Sequence, residues 1–452
     1  MKWWVIALII LAGVLRLWRI DTDLLIHYDQ GRDLLAARSI WLDHKMTLLG
    51  PSTDAEGVFF SPIYYYLISI PLVMSGGNPV TAIVFLISLE LISLIFFYEG
   101  SKKLFGTRVA IMALALYATS YGLVSFSRWL SNAMPVIIVG NLMIYVLART
   151  IEDKRWWVWY WFWLGVMFTF NPAAGIGLFV FGLIYGRTNL LKNLLVFLIP
   201  AIPQILFDLR HDFLISRGVM GILTNKFGGS ASRFDAFWGT GKTMFNFING
   251  VWGWGLVWLV AVGILLIIFG EWSKNKKMIF FWVFIQIGIM FLFNRAIYGH
   301  FFAGVAGGLV LLLALALKKY PEIVLGLVVF NIWLWWGGFR SPNLNLTPMG
   351  TANLVTLENR LKVVDFIGQS KEDYVFHSYD IPYFQDQVWR YLLWWKGVGD
   401  PGQKSKILYA VSERDWDRPD RLTDWKENLG KISRLEKNLV VGDFVVEKRI
   451  FK

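Results

Sequence analysis

The sequence contains no cysteine and few charged residues for its length. Without cysteine, the chain can form neither disulfide bonds nor thiolate metal sites, and its composition says nothing about the redox state of its compartment. Of its 452 residues, 17% are charged and 56% are hydrophobic, and the mean hydropathy is +0.51. These values exclude a chain made only of ordinary soluble domains. The composition therefore predicts an integral membrane protein.

Two features that are common in other membrane-associated chains are also missing. The first apolar segment, residues 1–20, begins with a basic residue, but no small-residue cleavage site follows it. We therefore interpret this segment as a retained first helix. We also find no internal repeat of the kind that marks many secondary transporters.

Aromatic and basic residues, in contrast, are abundant. The chain has 24 tryptophans, 17 tyrosines and 35 phenylalanines, and aromatic rings with a polar edge accumulate where a bilayer meets water. The net charge is +12, but the basic residues form short clusters between apolar runs and do not line one polar face. This pattern does not favour a nucleic-acid partner. It is typical of topology signals and of contacts to phosphorylated lipids in the bilayer.

Apolar segments follow one another through residues 1–339. The segment 62–74 is shorter than the roughly 20 residues of a spanning helix, so we predict that it is re-entrant or lies at the membrane interface. Eleven segments are predicted to span the membrane: 3–20, 80–98, 109–125, 133–148, 156–170, 173–185, 191–206, 251–270, 278–293, 301–317 and 322–338.

The charge of the connecting loops tests this count. With the N-terminus in the cytoplasm, the short inner loops carry clusters of lysine and arginine, whereas the short outer loops carry only Arg128 and Arg295. Merging residues 156–185 into one helix would move the lysine cluster at 274–277 to the outside. The bias therefore favours eleven spans in the plasma membrane, with the N-terminus cytoplasmic and the C-terminal region extracytoplasmic.

Three long regions are then exposed on the outer side: the first outer loop (21–78), a second long loop (207–249) and the C-terminal part (340–452). The last has an ordinary soluble composition, with candidate strands at 374–378, 407–411 and 444–450 and helices at 352–367 and 383–395. The predicted fold is a polytopic α-helical membrane protein, with interfacial helices in its first outer loop and a small C-terminal α/β domain.

A dense group of charged and aromatic side chains follows the first apolar segment, between Ile26 and Arg38. Asp29 and Asp33 are four residues apart, so they share a face of any helix that begins near Tyr28, and Arg32 lies beside them. A carboxylate at the lip of a membrane cavity can accept a proton from an attacking hydroxyl. The alternative is that the two acids only cap and stabilise the first turn of an amphipathic helix.

Other features follow this group in a particular order. An apolar first helix and an early acidic residue are followed by the run Leu49-Gly50-Pro51 and then by residues 61–67, SPIYYYL. This order resembles the dolichyl-phosphate-mannose protein mannosyltransferase and aminoarabinose transferase-like group of GT-C membrane glycosyltransferases. The resemblance covers mainly the first 210 residues and the overall topology. It implies an enzyme that takes a sugar from a polyprenyl phosphate, with Asp29 in the position of the group's essential acidic residue.

The implied reaction assigns roles to the charged residues of the outer side. An acceptor hydroxyl, on a protein or a glycolipid, attacks the anomeric carbon and releases a polyprenyl phosphate dianion. Asp29 takes the hydroxyl proton, the sugar carbon is inverted, and Asp33 is a supporting acid. Basic and polar groups offset the phosphate charge. The candidates for substrate binding, each of which is equally compatible with an interface residue, are Arg32, Arg38, Tyr64, Arg128, Arg210, His211, Arg295 and His300.

The sequence also departs from this group. Several relatives carry a second acid, used for metal binding, where this chain has Ser131 and Asn132. We therefore assign no metal ligands, although Asp54 and Glu56 leave a divalent metal open as a cofactor. No Trp-Trp pair is followed by Asp, which argues against transfer of a glycan to asparagine. The alternative function is a polytopic transporter or flippase of a lipid-linked or small polar substrate.

Overall fold

The computed structural model describes residues 2–53, 56–224, 233–252, 272–292, 297–340, 355–369, 372–381, 385–399, 402 and 405–452. Most of these residues are helical, and a four-stranded sheet lies near the carboxyl end of the chain. The predicted span at 251–270, apart from its first two residues, lies outside these ranges, as do Asp54 and the candidate Arg295.

Helices follow one another closely through the first 340 residues. They are α1 (Trp3–Leu17), α2 (Ile20–Asp23), α3 (Tyr28–Leu42), α4 (Ile63–Met74), α5 (Pro79–Phe105), α6 (Thr107–Thr119), α7 (Tyr121–Ser127), α8 (Pro135–Glu152), α9 (Trp157–Phe170), α10 (Pro172–Tyr185), α11 (Leu190–Leu198), α12 (Ile202–Arg210), α13 (Leu214–Leu223), α14 (Arg233–Trp252), α15 (Lys274–Met290), α16 (Ala306–Ala316) and α17 (Pro321–Arg340). Short 3₁₀ turns occupy Lys154–Trp156, Ile199–Ala201 and Gly299–Val305.

Several of these helices have the length and composition of membrane spans. Among the described residues, four stretches are long and apolar enough to cross a bilayer, and a fifth is added if α6 and α7, which meet at 59°, count as one span. The four are Pro79–Phe105, Pro135–Glu152, Leu190–Arg210 and Gly299–Ala316. Shorter apolar helices are Trp3–Leu17, Ile63–Met74, Pro172–Tyr185 and Pro321–Trp336. The chain is thus a helical membrane protein, and the count of eleven spans stays a prediction.

The bend between α6 and α7 falls at Ser120, where backbone groups lose their helical partners. Arg16 of α1 donates a hydrogen bond to the carbonyl of Ala118 at 3.1 Å, and the Asn331 side chain accepts one from the Tyr121 amide at 2.9 Å. Inside a membrane, neighbouring side chains must satisfy such groups, because lipid tails offer no hydrogen bonds. Residues from α1 and α17 therefore support the bend.

The segment between α1 and α5 contains α2, α3, α4 and a tight pairing of two extended stretches. The Gly50 amide donates to the Phe60 carbonyl, and the Phe60 amide donates to the Pro51 carbonyl, each at 2.9 Å. A Cβ atom on Gly50 would lie 2.2 Å from the Ser61 carbonyl oxygen, so no other residue fits there without a shift of the backbone. The two sequence runs at 49–51 and 61–67 therefore meet in space.

The C-terminal domain is a mixed sheet with three helices. Its elements are α18 (Leu357–Gly368), β1 (Tyr374–Tyr379), α19 (Gln387–Trp395), β2 (Ile407–Glu413), α20 (Pro419–Ile432), β3 (Ser433–Val441) and β4 (Phe444–Phe451). The strand order is β1-β2-β4-β3, in which β1 and β2 are parallel and the other pairs antiparallel. Tyr374 lies opposite Ile407, and Ile407 lies opposite Ile450.

The sequence predicted three of these strands and two of the helices, and it missed β3 and α20. β3 is an edge strand whose residues are mostly exposed on both faces, so its sequence lacks the alternation of apolar and polar residues that marks a half-buried strand. The predicted fold class, a helical membrane part followed by a small α/β domain, is confirmed.

Candidate active site

Helix α3 brings the charged group of the first loop together. The chain enters the helix in extended backbone at His27, and the Gln30 side chain accepts a hydrogen bond from the His27 amide at 2.9 Å. The other end of the Gln30 amide group donates to the Leu130 carbonyl at 3.0 Å, which fixes the start of α3 against the loop before α8. Asp29 therefore lies in the first turn, and Asp33 lies one turn later.

Arg32 stands between the two acids. Its Nη1 is 2.7 Å from Asp29 Oδ1, and its Nη2 is 2.9 Å from Asp33 Oδ1. Both acids therefore pair with the same arginine, which confirms the prediction that they share one face of the helix. Exposure differs sharply between the acids, because 35% of the Asp29 side chain is exposed but only 3% of that of Asp33. Asp29 and Arg32 are open to an incoming molecule, and Asp33 lies beneath them.

The burial of Asp33 changes its chemistry. Loss of solvent raises the pKa of the Asp33 carboxyl to about 7, although the Arg32 guanidinium acts in the opposite direction. A carboxyl with this pKa is partly protonated at neutral pH and can gain or lose a proton under ordinary conditions. The charge of the Asp33 carboxyl beside Arg32 therefore changes with pH near neutrality, whereas an ordinary ion pair stays fully ionised there.

Tyrosines at the start of α4 complete this group. The Tyr65 side chain lies beside Asp33 and Arg32 and influences the pKa of both groups. The hydroxyl of Tyr64 is buried without a hydrogen-bond partner among the described residues, within electrostatic range of Asp33. Tyr66 serves the fold, because its hydroxyl donates to the Thr47 carbonyl at 2.7 Å. We define the α3 cluster as Asp29, Arg32, Asp33, Tyr64 and Tyr65.

Tyr65 was not predicted from the sequence. The run of three tyrosines pointed to this region, but only the position of α4 beside α3 shows which hydroxyl contacts the acids. A tyrosine one residue after Tyr64 is turned by about 100° around a helix axis, and that rotation decides which side chain faces α3.

Loops from four helices meet close to the cluster. The Ser61 amide donates to the Thr169 carbonyl at 3.2 Å, and Asn132 donates to the Phe170 carbonyl at 2.9 Å. The Gln204 side chain donates to the Phe59 carbonyl at 2.9 Å. These bonds join the stretch before α4 to the end of α9 and to the start of α12, and they join the end of α9 to the loop before α8. The α3 cluster therefore lies in a framework fixed from several sides.

Two predicted arginines make contacts away from this cluster. Arg38 lies with its guanidinium 4.4 Å from the Trp394 ring centre in the C-terminal domain. Arg128 donates to the carbonyls of Arg16 and Trp18 at 3.0 and 2.7 Å, which satisfies the last carbonyls of α1. Substrate binding by either residue stays a prediction.

The remaining candidates lie at other helix ends. The His211 ring stacks on Phe207, with ring centres 3.8 Å apart, at the end of α12, where Arg210 is exposed beside it. His300 stacks on Tyr298 with ring centres 5.5 Å apart, and its Nδ1 atom is buried without a hydrogen-bond partner in the described part of the chain. The structure thus gathers Asp29, Arg32, Asp33 and Tyr64, and places Arg38, Arg128, Arg210, His211 and His300 in separate contacts.

A metal site does not emerge from the same residues. Within the described ranges, no three His, Cys, Asp or Glu side chains are arranged to hold a metal ion. The two acids of the cluster face a guanidinium, which carries the positive charge that a metal would otherwise supply. We therefore derive no step through a metal.

Comparison with known proteins identifies the fold. Residues 60–207 match the family of dolichyl-phosphate-mannose-protein mannosyltransferases. The structure of ArnT from Cupriavidus metallidurans bound to undecaprenyl phosphate aligns with a TM-score of 0.64 and 14% identity, over 98% of each chain. The chain has a GT-C glycosyltransferase fold.

A second ArnT structure agrees with this GT-C fold. ArnT in the apo state aligns with a TM-score of 0.63 and 13% identity, over 98% of this chain and 97% of that one. The Archaeoglobus fulgidus oligosaccharyltransferase AglB, in complex with an inhibitory peptide and a dolichol-phosphate, gives a TM-score of 0.48 and 13% identity, over 91% of this chain and 69% of that one. No curated protein matches the sequence significantly.

The predicted resemblance to GT-C glycosyltransferases is confirmed by the family match and the fold. The matched segment begins at residue 60, after α3. The roles of Asp29 and its neighbours therefore depend on the geometry of the α3 cluster.

Proposed function

We propose that this protein is an inverting membrane glycosyltransferase that moves a sugar from a polyprenyl phosphate to an acceptor hydroxyl. One observation carries the proposal: an accessible carboxylate, Asp29, and an accessible guanidinium, Arg32, share the exposed side of the α3 cluster. The reaction needs one group that takes a proton and one that binds phosphate. The similarity to ArnT, whose structure contains undecaprenyl phosphate, supports a lipid-linked donor.

The proposal includes the position of the protein in the membrane. Residues 1–339 form the membrane part, with the N-terminus in the cytoplasm, and residues 340–452 form an extracytoplasmic domain. The α3 cluster then faces the outer side of the plasma membrane, where the acceptor is a hydroxyl of a protein or a glycolipid. In this topology the first outer loop and the C-terminal domain lie on the same side of the membrane. The contacts between them in the described part of the chain are consistent with that placement.

The chemical step is a single displacement at the anomeric carbon. A bond forms from the acceptor oxygen to this carbon, and the bond from the carbon to the phosphate oxygen breaks with its electron pair leaving on the phosphate. The acceptor proton passes to an Asp29 carboxylate oxygen. Attack from the side opposite the phosphate inverts the sugar carbon.

Arg32 has to serve two groups during this step. In the structure it is paired with Asp29 Oδ1 at 2.7 Å, and this pairing occupies one of the two oxygens of the proposed base. We expect the donor phosphodiester to draw the guanidinium away from Asp29, because two phosphate oxygens can bind the arginine fork together and gain charge as the leaving bond breaks. Asp33, on the far side of Arg32, keeps the guanidinium within the cluster during this exchange.

The test is sugar transfer in reconstituted liposomes supplied with undecaprenyl- and dolichyl-phosphate-linked hexoses and pentoses. Asp29→Asn keeps the shape of the side chain but cannot take the proton, so we expect a loss of about 10²–10⁴-fold in kcat. Asp43→Asn, at the other end of α3, is the matched control, because Asp43 is an exposed acid beside Lys45. We expect it to transfer sugar at the wild-type rate.

Two results would overturn the proposal. One is transfer by Asp29→Asn at the wild-type rate. The other is movement of an unchanged lipid-linked sugar across the bilayer with no transfer to any acceptor, which would identify the protein as a transporter or flippase.

A further inference from the structure

Helix α19 of the C-terminal domain packs directly on α3, and Gly31 lies against its backbone. A Cβ atom at this position would lie 2.4 Å from the Val388 nitrogen and 2.7 Å from its Cα. These are backbone atoms of a helix, which cannot turn aside as the end of a flexible side chain can. Gly31 lies between Asp29 and Arg32, so the contact falls beside the α3 cluster.

A second contact holds the chain just before α3. Leu25 forms an isolated antiparallel bridge with Thr356, which precedes α18. The Leu357 amide donates to the Leu24 carbonyl at 2.8 Å. Backbone bonds of this kind fix position better than side-chain contacts do, because few torsions intervene. The C-terminal domain therefore anchors the entry of α3.

A third set of contacts lies at the far end of α3. Arg38 packs on Trp394 at 4.4 Å, and the ring centres of Trp41 and Trp394 are 6.1 Å apart. The Tyr391 hydroxyl donates to the Gly77 carbonyl at 2.7 Å, between α4 and α5. Contacts from the C-terminal domain therefore reach the start, the middle and the end of the helix.

We propose that the C-terminal domain positions the catalytic helix, with Gly31 and Val388 as positioning residues for the reaction. The inference depends on the proposed function for its effect on transfer. A helix of 15 residues is marginal by itself in water, so α3 depends on what packs around it. The membrane part holds one side of α3 through the hydrogen bond from Gln30 to the Leu130 carbonyl, and α19 holds the other. A displacement of about 1 Å at a reacting group can cost about 10²-fold in rate.

The experiment compares two glycine-to-alanine variants in the full-length protein. Gly31→Ala introduces the clash with Val388, whereas Gly288→Ala, inside α15, adds a methyl group that meets nothing within 4 Å. Hydrogen–deuterium exchange of residues 28–42 reports the packing of α3, and transfer kinetics report the reaction. We expect at least about tenfold faster exchange of α3 amides and about 10–100-fold lower kcat for Gly31→Ala, with donor KM changed less than kcat. Gly288→Ala is expected to match wild type in both.

A milder variant covers the case in which Gly31→Ala does not fold. Tyr391→Phe removes only the hydrogen bond to Gly77, and we expect about two- to fivefold faster exchange of α3 amides. Wild-type exchange of α3 in Tyr391→Phe and in any folded Gly31→Ala protein would overturn the inference. Failure of wild type to transfer sugar from any donor would instead refute the proposed function, and α3 exchange would still decide whether the domain holds the helix.

Discussion

The clusters around Arg16 and Arg32 both pair an arginine with carboxylate groups, and they differ in almost every other respect. Arg16 and Glu90 are both 0% exposed, and two hydrogen bonds of 2.9 and 3.0 Å join the guanidinium to both carboxylate oxygens. Arg16 also donates to Ser127 and to two backbone carbonyls. Arg32, in contrast, has 30% of its side chain exposed and a partner, Asp33, whose protonation is variable.

The comparison shows how the same residue types serve structure in one place and chemistry in another. The Arg16 cluster has its charges paired and its donors occupied, so it has nothing left to offer a substrate. It holds α1, α5 and the bend between α6 and α7 together. The α3 cluster keeps exposed donor and acceptor atoms at its surface. Incomplete pairing beside solvent, not the presence of charge, distinguishes the candidate active site.

The largest effect on stability is expected from breaking the Arg16 cluster. Arg16→Gln leaves Glu90 buried without its partner, and we expect a loss of about 3–5 kcal/mol in the free energy of unfolding. Replacing both residues by methionine removes the unpaired charge, so this double variant should be more stable than Arg16→Gln. Thermal unfolding in detergent measures both. Equal stability of Arg16→Gln and wild type would show that the Arg16 cluster has no structural role.

A nearly equal effect, on rate and not on stability, is expected at Arg32. Arg32→Gln should lower kcat/KM about 10²–10³-fold, because the charge on the leaving phosphate loses its nearest donor. Arg32→Lys restores the charge without the planar fork, so its kcat/KM should fall between those of Arg32→Gln and wild type. We expect little loss of stability, because Asp33 can take up a proton when its partner is removed. A large stability loss with an unchanged rate would reverse the distinction between the two arginines.

Asp33 predicts a dependence of transfer on pH. Below its pKa of about 7 the Asp33 carboxyl is neutral. Arg32 then forms its ion pair with Asp29 alone and blocks the proposed base. Above this pKa, ionised Asp33 holds Arg32, and Asp29 is released. The kcat/KM of transfer, which reports the enzyme before the donor phosphate draws Arg32 away from Asp29, should therefore rise about tenfold between about pH 6 and about pH 8. In Asp33→Asn this rise should disappear. A wild-type profile that is flat over this range would contradict the role of Asp33.

The smallest effect is expected at Tyr65. Tyr65→Phe removes a hydroxyl beside Asp33 and Arg32, and we expect a loss of about 1 kcal/mol in transition-state stabilisation, or about fivefold in kcat/KM. Tyr66→Phe is the control, because that hydroxyl forms its hydrogen bonds with the backbone amide and carbonyl of Thr47. It should affect stability without changing the rate. The reverse pattern would remove Tyr65 from the cluster.

Much of the α3 cluster could be predicted because three of its residues are close together in the sequence. Asp29, Arg32 and Asp33 lie within five positions of one another, and helical spacing alone places them on one face. The apolar segments and three strands were predictable for the same reason. The pairing of Glu90 with Arg16 could not be predicted, because the two residues are 74 positions apart and nothing in either segment indicates the contact.

Long-range contacts also explain why some expectations about α3 were incomplete. Arg38 was selected as a phosphate ligand by its closeness in sequence to Asp29, but its ring contact is with Trp394 of the C-terminal domain. Gly31 drew no notice as a glycine in a polar helix, and its importance depends on Val388, more than 300 positions later. Tyr65 could be distinguished from Tyr64 only once α4 was placed beside α3.

Single-turnover transfer by Asp29→Asn, with the lipid-linked donor already bound, tests the central claim most directly. Pre-binding separates the chemical step from donor affinity, which Arg32 is expected to control. The account predicts that Asp29→Asn binds the donor at least as tightly as wild type and transfers its sugar at least about 100-fold more slowly. Transfer from the bound donor at the wild-type rate would contradict it and would place the catalytic base elsewhere.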